Sequence, residues 1–240
     1  MRTIARIDIK NNFVIKGINL EGLRKIGDPE KIIKDYYNNT IDELLIIDSV
    51  ASLYGRNNLF EFIKEITREI FVPITLGGGI RSLEDIENAL KSGADKVAIN
   101  SKALEDPNFL NKAVKNFGES TIIVNIEAKK ILPNKWEPYK FCGREKTNIN
   151  LDDWIKTIQQ KGCGEILLTS IDYEGTESGF DIDLINHVYK LIKKPLIISG
   201  GCGNLDHILE LKEKFQNVSI AIASVLHYKI LSIPEIKKNF

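Results

Sequence analysis

Leu76-Gly77-Gly78-Gly79 and Ser199-Gly200-Gly201-Cys202-Gly203 each follow an apolar run and open a helix-like stretch. Each then leads to a second short motif, Ala98-Ile99-Asn100-Ser101 in one case and Ala221-Ile222-Ala223-Ser224 in the other. Glycines let backbone N–H groups approach an anion closely, and the amino terminus of a following helix adds unsatisfied donors and partial positive charge. Asn100, Ser101 and Ser224, the last beside Ala223, add further donors. A single Gly-Gly turn can equally be a tight joint between strand and helix. Repetition favours the cradle: Gly78 to Gly200 spans 122 residues and Ala98 to Ala221 spans 123, as in a unit written twice. Cradles at Gly78-Gly79 and Gly200-Gly201 fit a ligand with a phosphate at each end.

The acids follow the same period. Asp8 closes a first β-rich run and Glu127 closes a fifth, 119 residues later, so duplication places one acid from each half on opposite sides of one mouth. Such a pair can divide acid and base roles, because an apolar or like-charged setting raises one carboxyl while the other stays ionised. Asp48, Asp172 and Glu174 make the same rim acid-rich, although these carboxylates can also cap helices or pair with Lys10, Lys16 or Arg56. Strand alternation points Arg2, Ile4, Arg6 and Asp8 the same way, into the interior. Glu43, Lys96 and Glu165 start other strands, so with Arg2 they can ring the opposite end, or form an ordinary surface cluster there.

The elements that must position these groups alternate strictly. Short runs from Thr3, Glu43, Val72, Lys96, Thr121, Glu165, Pro195 and Val218 read as strands, with amphipathic helical stretches between them. That pattern predicts α/β architecture, a single (β/α)8 TIM barrel over residues 1–240 built from half-barrels of about 1–119 and 120–240. Helices are expected over Asp28–Tyr37, Leu59–Ile70, Leu83–Lys91, Pro107–Asn116, Leu151–Lys161, Ile182–Lys193 and Leu205–Phe215, with Ser82 and Asn204 as caps. The longest connections, 11–28 and 129–150, follow strands one and five, at the end where barrels build active sites.

Composition narrows the classes. The chain has 33 basic and 33 acidic residues, which leaves no long-range field for nucleic acid or anionic membrane. Cys142, Cys163 and Cys202 lie far apart without metal-ligand spacing, so no metal site or disulfide framework is expected, and a reducing cytoplasm fits. The amino terminus meets charge at once, and no uncharged run reaches the roughly 20 residues that span a bilayer. His187, His207 and His227 are expected at helix or strand ends without catalytic roles.

The chain resembles the cyclase subunit of imidazole glycerol phosphate synthase, the HisF family, over essentially its whole length. The most specific stretches are Ile15-Lys16-Gly17-Ile18-Asn19, Gly27-Asp28-Pro29, 77–82, Gly93-Ala94-Asp95-Lys96-Val97, 164–172 with Gly175-Thr176, and Ser224-Val225-Leu226-His227. The related isomerase HisA shares the cradles but differs in the first loop. The resemblance implies a barrel that binds a bisphosphate formimino aminoimidazole carboxamide ribonucleotide and needs no cofactor. Ammonia from a HisH glutaminase docked at the barrel bottom, where Asp42 and Asp95 fall, then yields imidazole glycerol phosphate and aminoimidazole carboxamide ribotide. It makes Asp8 and Glu127 catalytic, and puts Lys16, Asp48, Thr169, Glu174 and Asp181 on the substrate side. It also makes Arg2, Glu43, Lys96 and Glu165 the salt-bridged gate through which ammonia passes.

Departures from the family pattern gather at the mouth. Arg6-Ile7-Asp8-Ile9 stands where the family reads Cys-Leu-Asp-Val, and Glu127 and Glu174 replace aspartates. Each added methylene moves a carboxylate about 1 Å, a shift that can cost on the order of a hundredfold in rate. Arg6 is expected between gate and mouth, pairing with Glu127 or Asp8, lowering its partner's pKa and narrowing the ammonia path. The cyclase is the first function these residues support. The alternatives are a HisF-like paralogue whose ammonia serves a sugar amidotransferase in surface polysaccharide or flagellin glycan synthesis, and a noncatalytic scaffold.

Overall fold

A computed structural model describes residues 1–51 and 59–239. The twelve strands seen among them are β1 (Thr3–Lys10), β2 (Phe13–Ile18), β3 (Glu21–Gly27), β4 (Glu43–Asp48), β5 (Ile74–Gly77), β6 (Lys96–Ile99), β7 (Ile122–Leu132), β8 (Lys135–Lys140), β9 (Glu145–Lys146), β10 (Glu165–Ser170), β11 (Leu196–Ser199) and β12 (Val218–Ile222). Eight of them pair in parallel in the order β1-β4-β5-β6-β7-β10-β11-β12, and β12 returns to β1 with Thr3 opposite Ile220. This is a closed (β/α)8 TIM barrel.

The barrel strands form because short runs of β-branched residues fit a pleat buried on both faces. Their outward faces meet the helices in one large core, where fully buried residues such as Ile7, Ile46 and Ile122 sit. Each such side chain contributes about 1.5–3 kcal/mol. Inward residues form a separate small cluster, Ile4, Leu45, Ile47, Ala98, Ile123, Leu167, Ile197 and Ala221. That apolar plug lies between the charged groups at the two ends.

Helix starts follow local capping chemistry. Asp28 accepts from the Lys31 N–H ahead of Pro29, Ser82 and Asp85 form a reciprocal capping box, and Asn204 accepts from the His207 N–H. Several helices are shorter than periodicity predicts. The one from Ile182 stops at Tyr189, where the Leu191 N–H turns back to the Val188 carbonyl, and the one from Phe60 stops at Ile66. Short helices Ser101–Glu105 and Ser224–His227, too brief to show a period, follow the second motif of each cradle.

Both long connections are antiparallel hairpins rather than loops. Strands β2 and β3 fold back on β1, and β8 and β9 fold back on β7, which runs on to Leu132. The second hairpin is anchored by buried Trp136, whose ring lies 5.1 Å from that of His187. Among the described residues no helix is long and apolar enough to cross a membrane.

Candidate active site

The carboxyl ends of the barrel strands carry a cluster of buried charge. Arg6 is 2 % exposed, Asp8 7 %, Lys16 4 %, Glu127 4 % and Glu174 2 %. Ions this far from water persist only when paired, and the pairing here runs in alternation. Arg6 Nε donates to Asp8 Oδ1 at 3.1 Å, Arg6 Nη1 lies 3.9 Å from Glu174 Oε2, and Lys16 Nζ binds Glu174 Oε1. Arg6 Nη1 also donates to Thr169 Oγ1 at 3.0 Å and Ser199 Oγ at 3.1 Å. The guanidinium of β1 thereby reaches across the interior to β10 and β11.

Glu127 stands in a different setting. Its Oε2 accepts from Asn100 Nδ2 and from the Gly143 N–H, both at 2.9 Å, and Asn125 Nδ2 is 3.4 Å from Oε1. Burial pushes its carboxyl up to about 7, against the opposing pull of Arg6 and the Gly143 hydrogen bond. Of its two expected partners Arg6 takes Asp8 directly, and its charge reaches Glu127 only through space, where burial outweighs it. Glu174 goes the other way: burial would raise it, but Lys16 and Arg6 together hold it below its ordinary value.

Beside Glu127, residues 141–143 cross the mouth with three successive left-handed backbones, φ 55°, 56° and 74°. The crossing is pinned by the Phe141 N–H on Ser101 Oγ at 3.0 Å, by Cys142 Sγ on the Ser49 carbonyl at 3.3 Å, and by Gly143 on Glu127. Cys142 and Ile47 border two cavities, one containing Glu127 and the other Arg6 and Asp8. Asp8 and Glu127 therefore lie in neighbouring cavities on either side of this crossing.

The glycine cradles are built alike and filled differently. A Cβ on Gly78 (φ 87°) would lie 2.2 Å from the Asp48 carbonyl oxygen, and one on Gly201 (φ 98°) would lie 1.8 Å from that of Gly179. The first cradle opens into a cavity of about 130 Å³ lined by Gly78, Gly79, Asn100, Ser101 and the cations Arg81 and Lys102. Asn100 Oδ1 and Asn125 Oδ1 are buried there without hydrogen-bond partners among the described residues. The second, bounded by Gly200, Gly201, Ala223 and Ser224, holds only about 10 Å³, with Lys16 and Glu174 in its wall. Beside it His227 is driven down to about 4 by burial and by Lys16, so it is neutral at pH 7 and bonded to the Tyr36 hydroxyl at 2.6 Å.

The opposite end of the barrel carries the charged ring. Arg2 binds Glu43 at 2.6 Å and also Glu165, while Lys96 binds Glu165 at 2.6 Å and approaches Glu43 at 3.6 Å. Burial works against the Glu165 carboxylate, but its bonds to Arg2 and Lys96 prevail and lower its pKa.

The structure thus places Glu127 with the first cradle, Asp8 with Arg6 and Lys16 in the neighbouring cavity, Lys16 and Glu174 beside the second cradle, and the ring at the far end. Other acids are engaged in local structure. Asp48 accepts from the Val50 and Ala51 N–H groups, Asp181 caps its helix and accepts from Ser170, and Asp172 accepts from the Lys130 N–H. Asp42 and Asp95 bind the Thr3 and Ile74 N–H groups at the barrel bottom. Arg56 lies outside the described residues. Sequence reasoning missed Asn125 as a member of the mouth, the bond from Arg6 to Ser199 at the head of the second glycine run, and the 141–143 crossing. Asn125 was findable, standing two residues before Glu127 on the same face of β7.

The chain matches the family described as histidine biosynthesis protein over residues 2–232. It is 47% identical over 206 residues to imidazole glycerol phosphate synthase subunit HisF of Legionella pneumophila, an alignment covering 86% of this chain and 97% of that protein. Subunits of the same name from Streptococcus mutans and Bacillus cereus are 40% and 38% identical, each over 99% of this chain and 94% of the relative.

Proposed function

Because the chain belongs to the histidine biosynthesis protein family, we propose that the two differently set carboxyls of its mouth divide the proton transfers of that family's cyclase reaction. The chain is the cyclase subunit of imidazole glycerol phosphate synthase, acting in histidine biosynthesis. A paralogue serving a sugar amidotransferase is not favoured, since relatives at 38–47% identity carry the synthase subunit's name.

The cradles at Gly78-Gly79 and Gly200-Gly201 grip the two phosphates of the ribonucleotide, with Asn100, Ser101, Ala223 and Ser224 at their edges. Lys16, Asp48, Thr169 and Glu174 face the sugar between them. The nitrogen of ammonia must lose protons as it enters the imidazole ring, and the departing ribotide amine must gain one. Asp8 is the base. Glu127, raised to about 7 by burial, retains a proton to give near neutral pH. The observation carrying the assignment is the difference in their partners, Asp8 held by the Arg6 guanidinium and Glu127 by the uncharged donors of Asn100 and Gly143.

A HisH-like glutaminase docks at the barrel bottom, and its ammonia enters through the ring of Arg2, Glu43, Lys96 and Glu165. The two halves, about 1–119 and 120–240, act as equivalent units, each supplying one acid and one cradle. The enzyme works in the cytoplasm without a cofactor or metal. The test is purified protein with ammonium salt and the ribonucleotide, followed by absorbance. Turnover is expected, and Asp8→Asn should lower it by about 10²–10⁴-fold with little change in KM; absence of turnover in the unmodified protein overturns the assignment.

A further inference from the structure

We propose that Arg6 is a positioning residue of the reaction, which fixes the Asp8 carboxylate in the mouth and sets the charge that Glu127 works against. This rests on the roles given above to Asp8 and Glu127. An arginine here needs a reason, since the same strand already carries Arg2 at the far end of the interior, and the layer between them, with Ile4, Leu167 and Ile197, is apolar.

The geometry supplies that reason. The Arg6 side chain is 3 % exposed and uses the two arms of its fork on different strands. Nε holds Asp8 Oδ1 at 3.1 Å, while Nη1 is anchored on the hydroxyls of Thr169 and Ser199 at 3.0 and 3.1 Å. The planar guanidinium converts those two anchors into a fixed direction for the Asp8 bond, as a flexible point charge cannot. Arg6 remains charged throughout, its pKa raised because Asp8 and Glu174 more than offset the burial that would lower it. The same charge lowers Glu127, which is faced also by Asp8 from β1, by Cys142 and the Gly143 N–H from the crossing, and by Asn100 and Asn125.

Two variants separate positioning from packing. Arg6→Lys keeps the charge and loses the fork, so kcat is expected to fall at least about tenfold with KM within about twofold. Arg6→Met keeps much of the bulk and removes the charge, so the midpoint of Glu127, read by carboxyl carbon-13 NMR titration, should rise by about one pH unit or more. If the methionine variant does not fold, Arg6→Met/Asp8→Asn removes the pair together and is compared with Asp8→Asn alone, with the same rise expected. A lysine variant with kcat within twofold of the parent, or a Glu127 midpoint that stays in place without the guanidinium, overturns the proposal. The unmodified protein's turnover judges the cyclase roles separately, and the titration reads Arg6 whether or not turnover is seen.

Discussion

The carboxyl of Glu127 rises from 4.5 to about 7 because removal from water outweighs the cation nearby, and this fixes two pH dependences. The folded chain binds that proton more tightly than the unfolded chain. The stability it confers is therefore complete below about pH 4.5, declines as pH climbs through about 7, and amounts to on the order of 3 kcal/mol. Glu127→Gln cannot ionise, so its Tm relative to the parent should increase from pH 5 to pH 8 in a calorimetric series. Its kcat should fall by about 10²–10⁴-fold, and parent turnover should decline above about pH 7 as the donor loses its proton. The inward direction of Arg2, Arg6 and Asp8 was legible from alternation along one strand. The setting of Glu127 was not, because the bonds to it come from Asn100 and from 141–143, whose left-handed path leaves no periodic mark in the sequence.

At the scale of elements, the cradles were legible because each is a contiguous motif whose glycines are demanded by backbone approach. Gly78→Ala and Gly201→Ala put a Cβ 2.2 and 1.8 Å from a carbonyl oxygen, in left-handed backbone. Each should cost at least about 3 kcal/mol, seen as a lower urea midpoint at unchanged m-value. Gly22→Ala is the matched comparison: its φ is 60° with open space around it, so only strain of about 1–2 kcal/mol is expected. The difference in filling between the cradles was hidden, since it depends on Lys16 from the first hairpin meeting Glu174 from the loop after β10. The second hairpin was missed as strands because Lys129–Lys130 and Glu145–Lys146 are charged pairs, exposed on a rim without the apolar alternation of a half-buried strand.

For the whole molecule, eight alternating units of ordinary length were enough to foresee a closed parallel barrel, since each buried strand and its covering helix repeat one local solution. The ring at the bottom ties that closure to the proposed partner. Arg2 is 36% exposed in its side chain while Glu43 and Glu165 are 8% and 10%, so the ring is wet on one side, the side that the proposed docking of a glutaminase would cover. Glu165→Ala should lower the ratio of glutamine-dependent to ammonium-dependent turnover by about 5- to 150-fold in the assembled enzyme; an unchanged ratio would detach the ring from ammonia passage. The cross-barrel bonds of the first strand also bear on how the chain is made. Arg2 and Arg6 each find a partner 163 residues further along, in Glu165 and Thr169, and at about 5–20 residues per second a ribosome needs roughly 8–30 s to deliver them. Until then Arg2 has only Glu43 and Arg6 only Asp8, so each guanidinium keeps donors that water must satisfy, and premature burial of the early half is disfavoured.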